Sequence, residues 1–421
     1  MDSFAFSVLF IVFLSLTLGC RFWLASRQIR NVQQHRAAVP PQFAEKITLE
    51  SHQKAADYTI AKTKLAIIDL FIGVLVLLAL TLFGGLQWLS THLIPVLGTG
   101  MRYQLGLIIS FTLITGLIDL PMDYYRQFVL EQKFGFNKMT VRLFVTDMIK
   151  NTFIGALIGL PLCWVVLTLM GDAGDLWWLY AWLVWSGFQL LMMVLYPSVI
   201  APIFNKFKPL EDESLKTRIE GLMQRTGFAS KGLFVMDGSK RSAHGNAYFS
   251  GFGASKRIVF FDTLIEKLAP QEIEAVLAHE LGHFKKKHIV KRIILIFILS
   301  LGFLALLGYL KQQVWFYTGL GVDPVVIGNH ASNDAMALLL FMLTLPIFTF
   351  FFSPISALTS RKHEFEADAF AALHTNAADL VSALVKMYDD NASTLTPDPL
   401  HSTFYDSHPP ASIRINHLSL N

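Results

Sequence analysis

Residues 279–283 read His279-Glu280-Leu281-Gly282-His283. On a helix, residues four apart lie on one face, so the two imidazoles can grip one ion. Zinc takes neutral imidazole nitrogens and, in a catalytic site, needs a third protein ligand and an open position for water. Glu280, between the histidines, is placed to take a proton from that water. Gly282 adds no side chain beside the ion. The candidate for a third ligand lies in Arg361-Lys362-His363-Glu364-Phe365-Glu366-Ala367-Asp368, a run that without the zinc helix would read as a solvated helix face. If this run is helical, Glu364 and Asp368 share a face while Glu366 points elsewhere. Glu364 completes a His279, His283, Glu364 set for one Zn2+ per chain. Asp368 then orients a ligating imidazole through its second nitrogen.

The elements that must hold these groups are mostly membrane helices. Of the 421 residues, 53% are hydrophobic and 16% charged, against about 25% charged in soluble domains. Such a chain must present much of its surface to lipid. Seven apolar runs are long enough to span a bilayer, near residues 4–24, 65–89, 104–120, 151–170, 176–201, 293–310 and 336–358. The third is short. The first has no basic residue before it and no small-residue cleavage site, and reads as a retained anchor.

Loop charges orient the spans. Arg27, Arg30, Arg36, Lys46, Lys54, Lys62 and Lys64 crowd 25–64, while 90–103 holds only Arg102. Arg126, Lys133, Lys138, Arg142 and Lys150 follow in 121–150, none in 171–175, and only Lys311 in 311–335. The positive-inside rule then puts the N-terminus outside and the C-terminus in the cytosol. The expected division is residues 1–201 (five spans), 202–292 (a cytosolic metalloprotease segment), 293–358 (two spans) and 359–421 (a cytosolic tail with the third ligand). The fold class is mainly α: a polytopic membrane protein with seven transmembrane helices and a cytosolic α+β zinc metalloprotease domain.

Within 202–292, residues 211–227 pattern as an amphipathic helix ended by Gly227. Residues 233–236, 247–252 and 257–261 read as strands. Pro270 opens the zinc helix, although Ala269 is a poor cap; the helix is expected to run through His288 into the sixth span. Lys285, Lys286, Lys287, Lys291 and Arg292 read equally as neighbours of anionic headgroups or as topology determinants. Cys20 and Cys163 lie in apolar runs and make no metal site. The net charge of +4, with no dense basic face, does not suggest nucleic acid. Asp69 and Asp119, near span ends, read either as marks of a water-filled path or as interfacial residues.

The sequence resembles the type I CaaX prenyl proteases, integral-membrane zinc metalloproteases of the gluzincin kind. The resemblance covers nearly the whole chain and rests on FVLEQKFGFN at 128–137, PIFNKF at 202–207, HGNAYF at 244–249, Ala278 through His283, Glu364 through Asp368, and His408-Pro409-Pro410. It implies that His279, His283 and Glu364 bind zinc and that Glu280 is the base. It also implies that Asn246 and His408 hold the peptide and stabilise the tetrahedral intermediate, as donors to an oxyanion can. The other histidines, among them His244, His288 and His363, read as surface or structural. The implied substrates are farnesylated CaaX proteins, trimmed of their last three residues, and the implied setting is a chamber enclosed by the seven helices.

On this reading the partners are a peptide or protein with a farnesylated C-terminus, and membrane lipids; nothing speaks to oligomeric state. A peptide is expected to lie along an edge strand, such as 247–252. A quality-control metalloprotease without prenyl specificity remains an alternative, a transporter or channel a more distant one. A protease of the site-two kind would carry its zinc motif inside an apolar span, whereas Glu272, Glu274 and Lys285–Lys287 flank it here. Leu418–Asn421 carries no retention signal, which leaves the endoplasmic reticulum and the bacterial inner membrane both open.

Overall fold

The computed structural model describes residues 1–228, 232–250, 257–324, 326–327, 330–331 and 333–419; Leu420 and Asn421 and the end of the expected strand at 251–252 lie outside them. Among the described residues, seven helices are long and apolar enough to cross a membrane: Ser3–Gln34, Leu49–Leu80, Met101–Phe134, Val141–Asp172, Gly174–Phe204, His288–Leu310 and Asp334–His374. Each touches the next, and the seventh touches the first, so the spans close a ring. Only 6% of the apolar window of the third and fifth is buried, against 44% in the seventh. The seventh also packs against the third and fourth, which makes it the most enclosed of the spans.

The helices overrun their apolar cores. The third reaches 34 residues, so the short span expected at 104–120 is corrected. The second ends at Leu80, and a separate helix, Gly85–Leu97, follows a turn through Gly84. The expected run at 65–89 crossed that turn. Gly84 sits at φ 76°, a left-handed conformation that glycine adopts freely.

The peptidase segment is built on a four-stranded sheet: β1 (Phe207–Pro209), β2 (Leu233–Met236), β3 (Ala247–Ser250) and β4 (Arg257–Phe261), in the order β1-β2-β4-β3. β2 and β4 are parallel, and β3 pairs antiparallel with β4 at one edge. The amphipathic helix is Glu213–Thr226, capped by Asp212. Its Leu215, Ile219 and Leu222 pack with Ile258 and Phe260 of β4, with Ile273, Leu277 and Leu281 of the metal helix (Pro270–Lys285), and with Ala371 of the ligand helix (Ser353–His374). Burying this apolar stripe fixes both ligand-bearing helices to one core. Glu272 makes good the weak cap of the metal helix by accepting the Ala269 N–H at 2.7 Å.

The metal helix does not continue into the sixth span as expected. It stops at Lys285, Lys287 turns left-handed at φ 58°, and a new helix starts at His288.

The blocks that carry the resemblance meet in space. Phe136 stacks on His244 at 4.4 Å. Arg241 joins Asp147 (2.8 Å), Asn205 (2.8 Å) and the Phe204 carbonyl (2.9 Å). The loop leading into β3 is thereby docked on the membrane ends of the third, fourth and fifth spans.

Candidate metal centre

Two segments far apart in sequence build the site. The metal helix presents His279 and His283 with their Nε2 atoms 3.2 Å apart. The ligand helix is the C-terminal part of the seventh long helix and brings Glu364 against both: Oε2 lies 3.4 Å from His279 Nε2, and Oε1 lies 3.2 Å from His283 Nε2. One ligand atom from each residue lies within 4.8 Å of the others. His279 and Glu364 are buried and His283 is half-buried.

These residues fit a zinc ion. Two imidazole nitrogens face each other with a carboxylate beside them, a donor set that suits zinc. Glu364 Oε2 is buried with no hydrogen-bond partner. A buried carboxylate oxygen without a hydrogen bond is costly even with the Arg414 guanidinium 3.5 Å away, and an ion held between the three residues would satisfy it.

The next layer is polar and closed. Asp368, fully buried, accepts the Nδ1–H of His279 at 2.8 Å. Arg414 grips Asp368 with two bonds, 2.9 and 2.5 Å, and its Nη1 stands 3.5 Å from Glu364 Oε2. Arg414 Nη2 also lies 3.3 Å from His279 Nδ1, but the proton on that nitrogen goes to Asp368, the nearer and charged acceptor. Burial opposes protonation of His279, yet Asp368 and Glu364 raise its proton affinity above that of a free imidazole.

His408 stands at the rim, exposed, with Nε2 at 3.5 Å from Glu364 Oε1 and Nδ1 at 3.0 Å from Ser407 Oγ. Arg361 holds its loop in place by donating to the Ser402 and Asp406 carbonyls. Glu280 is half-buried on the metal helix beside His279. Asn246 is exposed where β3 begins. Its described bonds are local: its side-chain oxygen accepts from Ala247 N–H at 2.8 Å and its carbonyl from Phe261 N–H at 2.9 Å.

The structure thus brings His279, His283, Glu364, Asp368 and His408 together and puts Asn246 at the end of the edge strand. Arg414 was missed by the sequence reading. His288, read as surface or structural, is buried and lies against His283.

A family profile described as the CAAX prenyl protease N-terminal region, with five membrane helices, matches residues 28–206, and that of peptidase family M48 matches 209–420. The CAAX prenyl protease 1 of Saccharomyces cerevisiae is 35% identical, over 94% of this chain and 91% of that protein. The chain belongs to this protease family. The homologue from Arabidopsis thaliana is 37% identical over 90% of this chain and 89% of its own, and the human homologue 32% over 94% and 91%. The crystal structure of S. mikatae Ste24p superposes with a TM-score of 0.92 at 33% identity, covering 98% of this chain and 99% of that one. This protein is therefore a multi-pass integral membrane metalloprotease, and its substrates are peptides or proteins. Membership of the family implies a metal cofactor.

Proposed function

We propose that the protein is a zinc endopeptidase that cuts near the C-terminus of prenylated CaaX proteins, with His279, His283 and Glu364 holding the ion and Glu280 as base. The observation that carries this reading is the convergence of those three ligands from two segments, each joined within a few residues to a membrane span. A soluble protein with a lipid on its C-terminus could reach such a site while the lipid stays among the spans. Loop charges favour a cytosolic site, with the N-terminus outside. The division at 1–201, 202–292, 293–358 and 359–421 describes the same arrangement.

Zinc, when bound, supplies Lewis acidity, polarising a peptide carbonyl and making water acidic enough to deprotonate near neutral pH. The chain's own groups do the rest. Asp368 and Arg414 fix the ring of His279. Glu280 accepts the proton of the attacking water and hands it to the leaving amine. His408 and Asn246 donate to the oxygen on which negative charge develops. β3, at the sheet edge, offers main-chain pairing to an extended peptide, which tolerates varied side chains.

The test is cleavage of matched farnesylated and unmodified CaaX peptides by the purified protein, with and without chelator. The expected result is chelator-sensitive release of the C-terminal tripeptide, strongly favouring the farnesylated peptide, and its loss in Glu280→Gln with zinc retained. Equal cutting of both peptides would replace prenyl specificity with general quality-control proteolysis. Full activity in Glu280→Gln would remove Glu280 from the mechanism.

A further inference from the structure

We propose that His288 and Glu366 form a relay that positions His283, holding its ring in the tautomer and orientation that metal binding needs. The proposal rests on the reading of His279, His283 and Glu364 as a metal site.

The hydrogen-bond directions are fixed from one end. Glu366 Oε2 lies 2.9 Å from His288 Nε2. A carboxylate only accepts, so the neutral His288 ring carries its proton on Nε2 and leaves Nδ1 bare. His288 Nδ1 lies 3.0 Å from His283 Nδ1. The bare nitrogen must accept, so His283 donates from Nδ1 and its Nε2 keeps a free lone pair. That Nε2 is the atom facing Glu364 and His279. The opposite tautomer would put a hydrogen where the ion belongs.

The relay completes a pattern. His279 donates its Nδ1–H directly to Asp368. His283 has no carboxylate in that place and reaches one through an intervening ring. Metal-bound imidazoles nearly always have such an outer partner, which fixes the tautomer and raises ligand basicity. The ligand helix thus supplies Glu364 toward the ion, Asp368 behind one histidine and Glu366 behind the other. As expected, Glu366 points away from the Glu364–Asp368 face; it points at His288.

The backbone is bent to allow this. In a continuous helix, residues five apart sit about 140° apart and do not meet. Lys287 breaks the helix with φ 58° and ψ 31°, a left-handed conformation uncommon for a side chain other than glycine or asparagine. His288 then turns back onto His283. It is 4% exposed and stacks on His363 with centroids 4.0 Å apart and planes 12° apart. Backbone outliers of this kind persist where the surroundings hold them and cluster at functional sites.

The experiment uses the purified full-length protein. Zinc affinity is measured by chelator competition, and the visible spectrum of the cobalt-substituted protein reports the ligand field at the ion. His288→Leu is expected to weaken zinc about 10–100-fold and to change the cobalt spectrum. His288→Asn, whose side-chain oxygen replaces Nδ1 as acceptor, should recover most of the affinity. Glu366→Leu should weaken zinc as well, and Glu366→Gln less. A purely structural role would lower thermal stability and leave affinity and spectrum alone. Wild-type zinc affinity and an unchanged spectrum in His288→Leu and Glu366→Leu would overturn the relay. Should His288→Leu fail to fold, Glu366→Leu decides, because that side chain is partly exposed. His283→Ala separates the two readings: if it keeps the wild-type zinc site, the metal assignment itself fails.

Discussion

A Cβ on Gly282 would stand 2.9 Å from the Cα of Ala367 and 3.1 Å from its carbonyl oxygen. The metal and ligand helices therefore touch backbone to backbone beside His283 and Asp368. This contact sets the spacing at which two histidines of one helix meet Glu364 of the other. The work of Gly282 is thus helix packing, rather than only clearing space around the ion. In an open helix, replacing glycine by alanine would stabilise by about 1 kcal/mol. Here the neighbour is backbone and cannot swing aside, so overpacking of about 1–3 kcal/mol opposes that gain. Gly282→Ala should melt at lower temperature and retain less zinc. A variant that melts higher with full zinc would show that the helices do not approach this closely.

Arg414 and Asp368 make the second prediction. Both are buried, and the guanidinium also balances Glu364. Arg414→Leu leaves the buried Asp368 without its guanidinium partner, at a cost of about 3–5 kcal/mol. Arg414→Lys keeps the charge but loses the planar fork, so it should recover only part. Thermal melting and zinc content of the three proteins check this. An Arg414→Leu protein as stable as the parent would mean that Asp368 is neutral or solvated.

What the sequence revealed follows from what is local. The HExxH spacing and the four-residue step from Glu364 to Asp368 are properties of a single helix, so both could be read directly. Arg414 could not: an arginine four residues after Pro410 looks like any exposed helix residue until the tail helix docks. The break at Lys287 was hidden because Lys285-Lys286-Lys287 contains neither glycine nor proline, and without it His288 has no reason to face His283. Hydropathy located the apolar centres of the spans but not their ends. Helical hydrogen bonding continues past the lipid boundary, as in residues 49–64 of the second span, and the apolar run through Leu82 and Phe83 concealed the turn at Gly84.

His408 gives a kinetic prediction. It is 63% exposed and within 3.5 Å of Glu364, so its removal should not disturb the core. If it donates to the developing oxyanion, His408→Ala should lower kcat about 10²–10³-fold, with KM, zinc content and melting temperature little changed. Loss of zinc in this variant would make His408 a ligand instead. An unchanged kcat would remove it from the reaction.

Glu272 couples the metal helix to pH. Its carboxylate, 4% exposed, accepts from Ala269 N–H (2.7 Å), Ser382 Oγ (2.7 Å) and Lys386 Nζ (2.8 Å). Burial opposes its ionisation, but Lys386, Ser382 and the Ala269 amide outweigh burial and hold it below the usual glutamate range. A carboxyl whose pKa is lowered on folding contributes stability above its unfolded value, about 4.3, and loses it as pH falls through the lower folded value. Glu272→Gln should therefore cost stability at neutral pH, on the order of 1.5–3 kcal/mol for a hydrogen-bonded charge, toward the lower end because Lys386 is exposed. The gap in melting temperature between the two proteins should narrow below about pH 4. A gap that stays constant into acid would assign the effect of Glu272 to its shape rather than its charge.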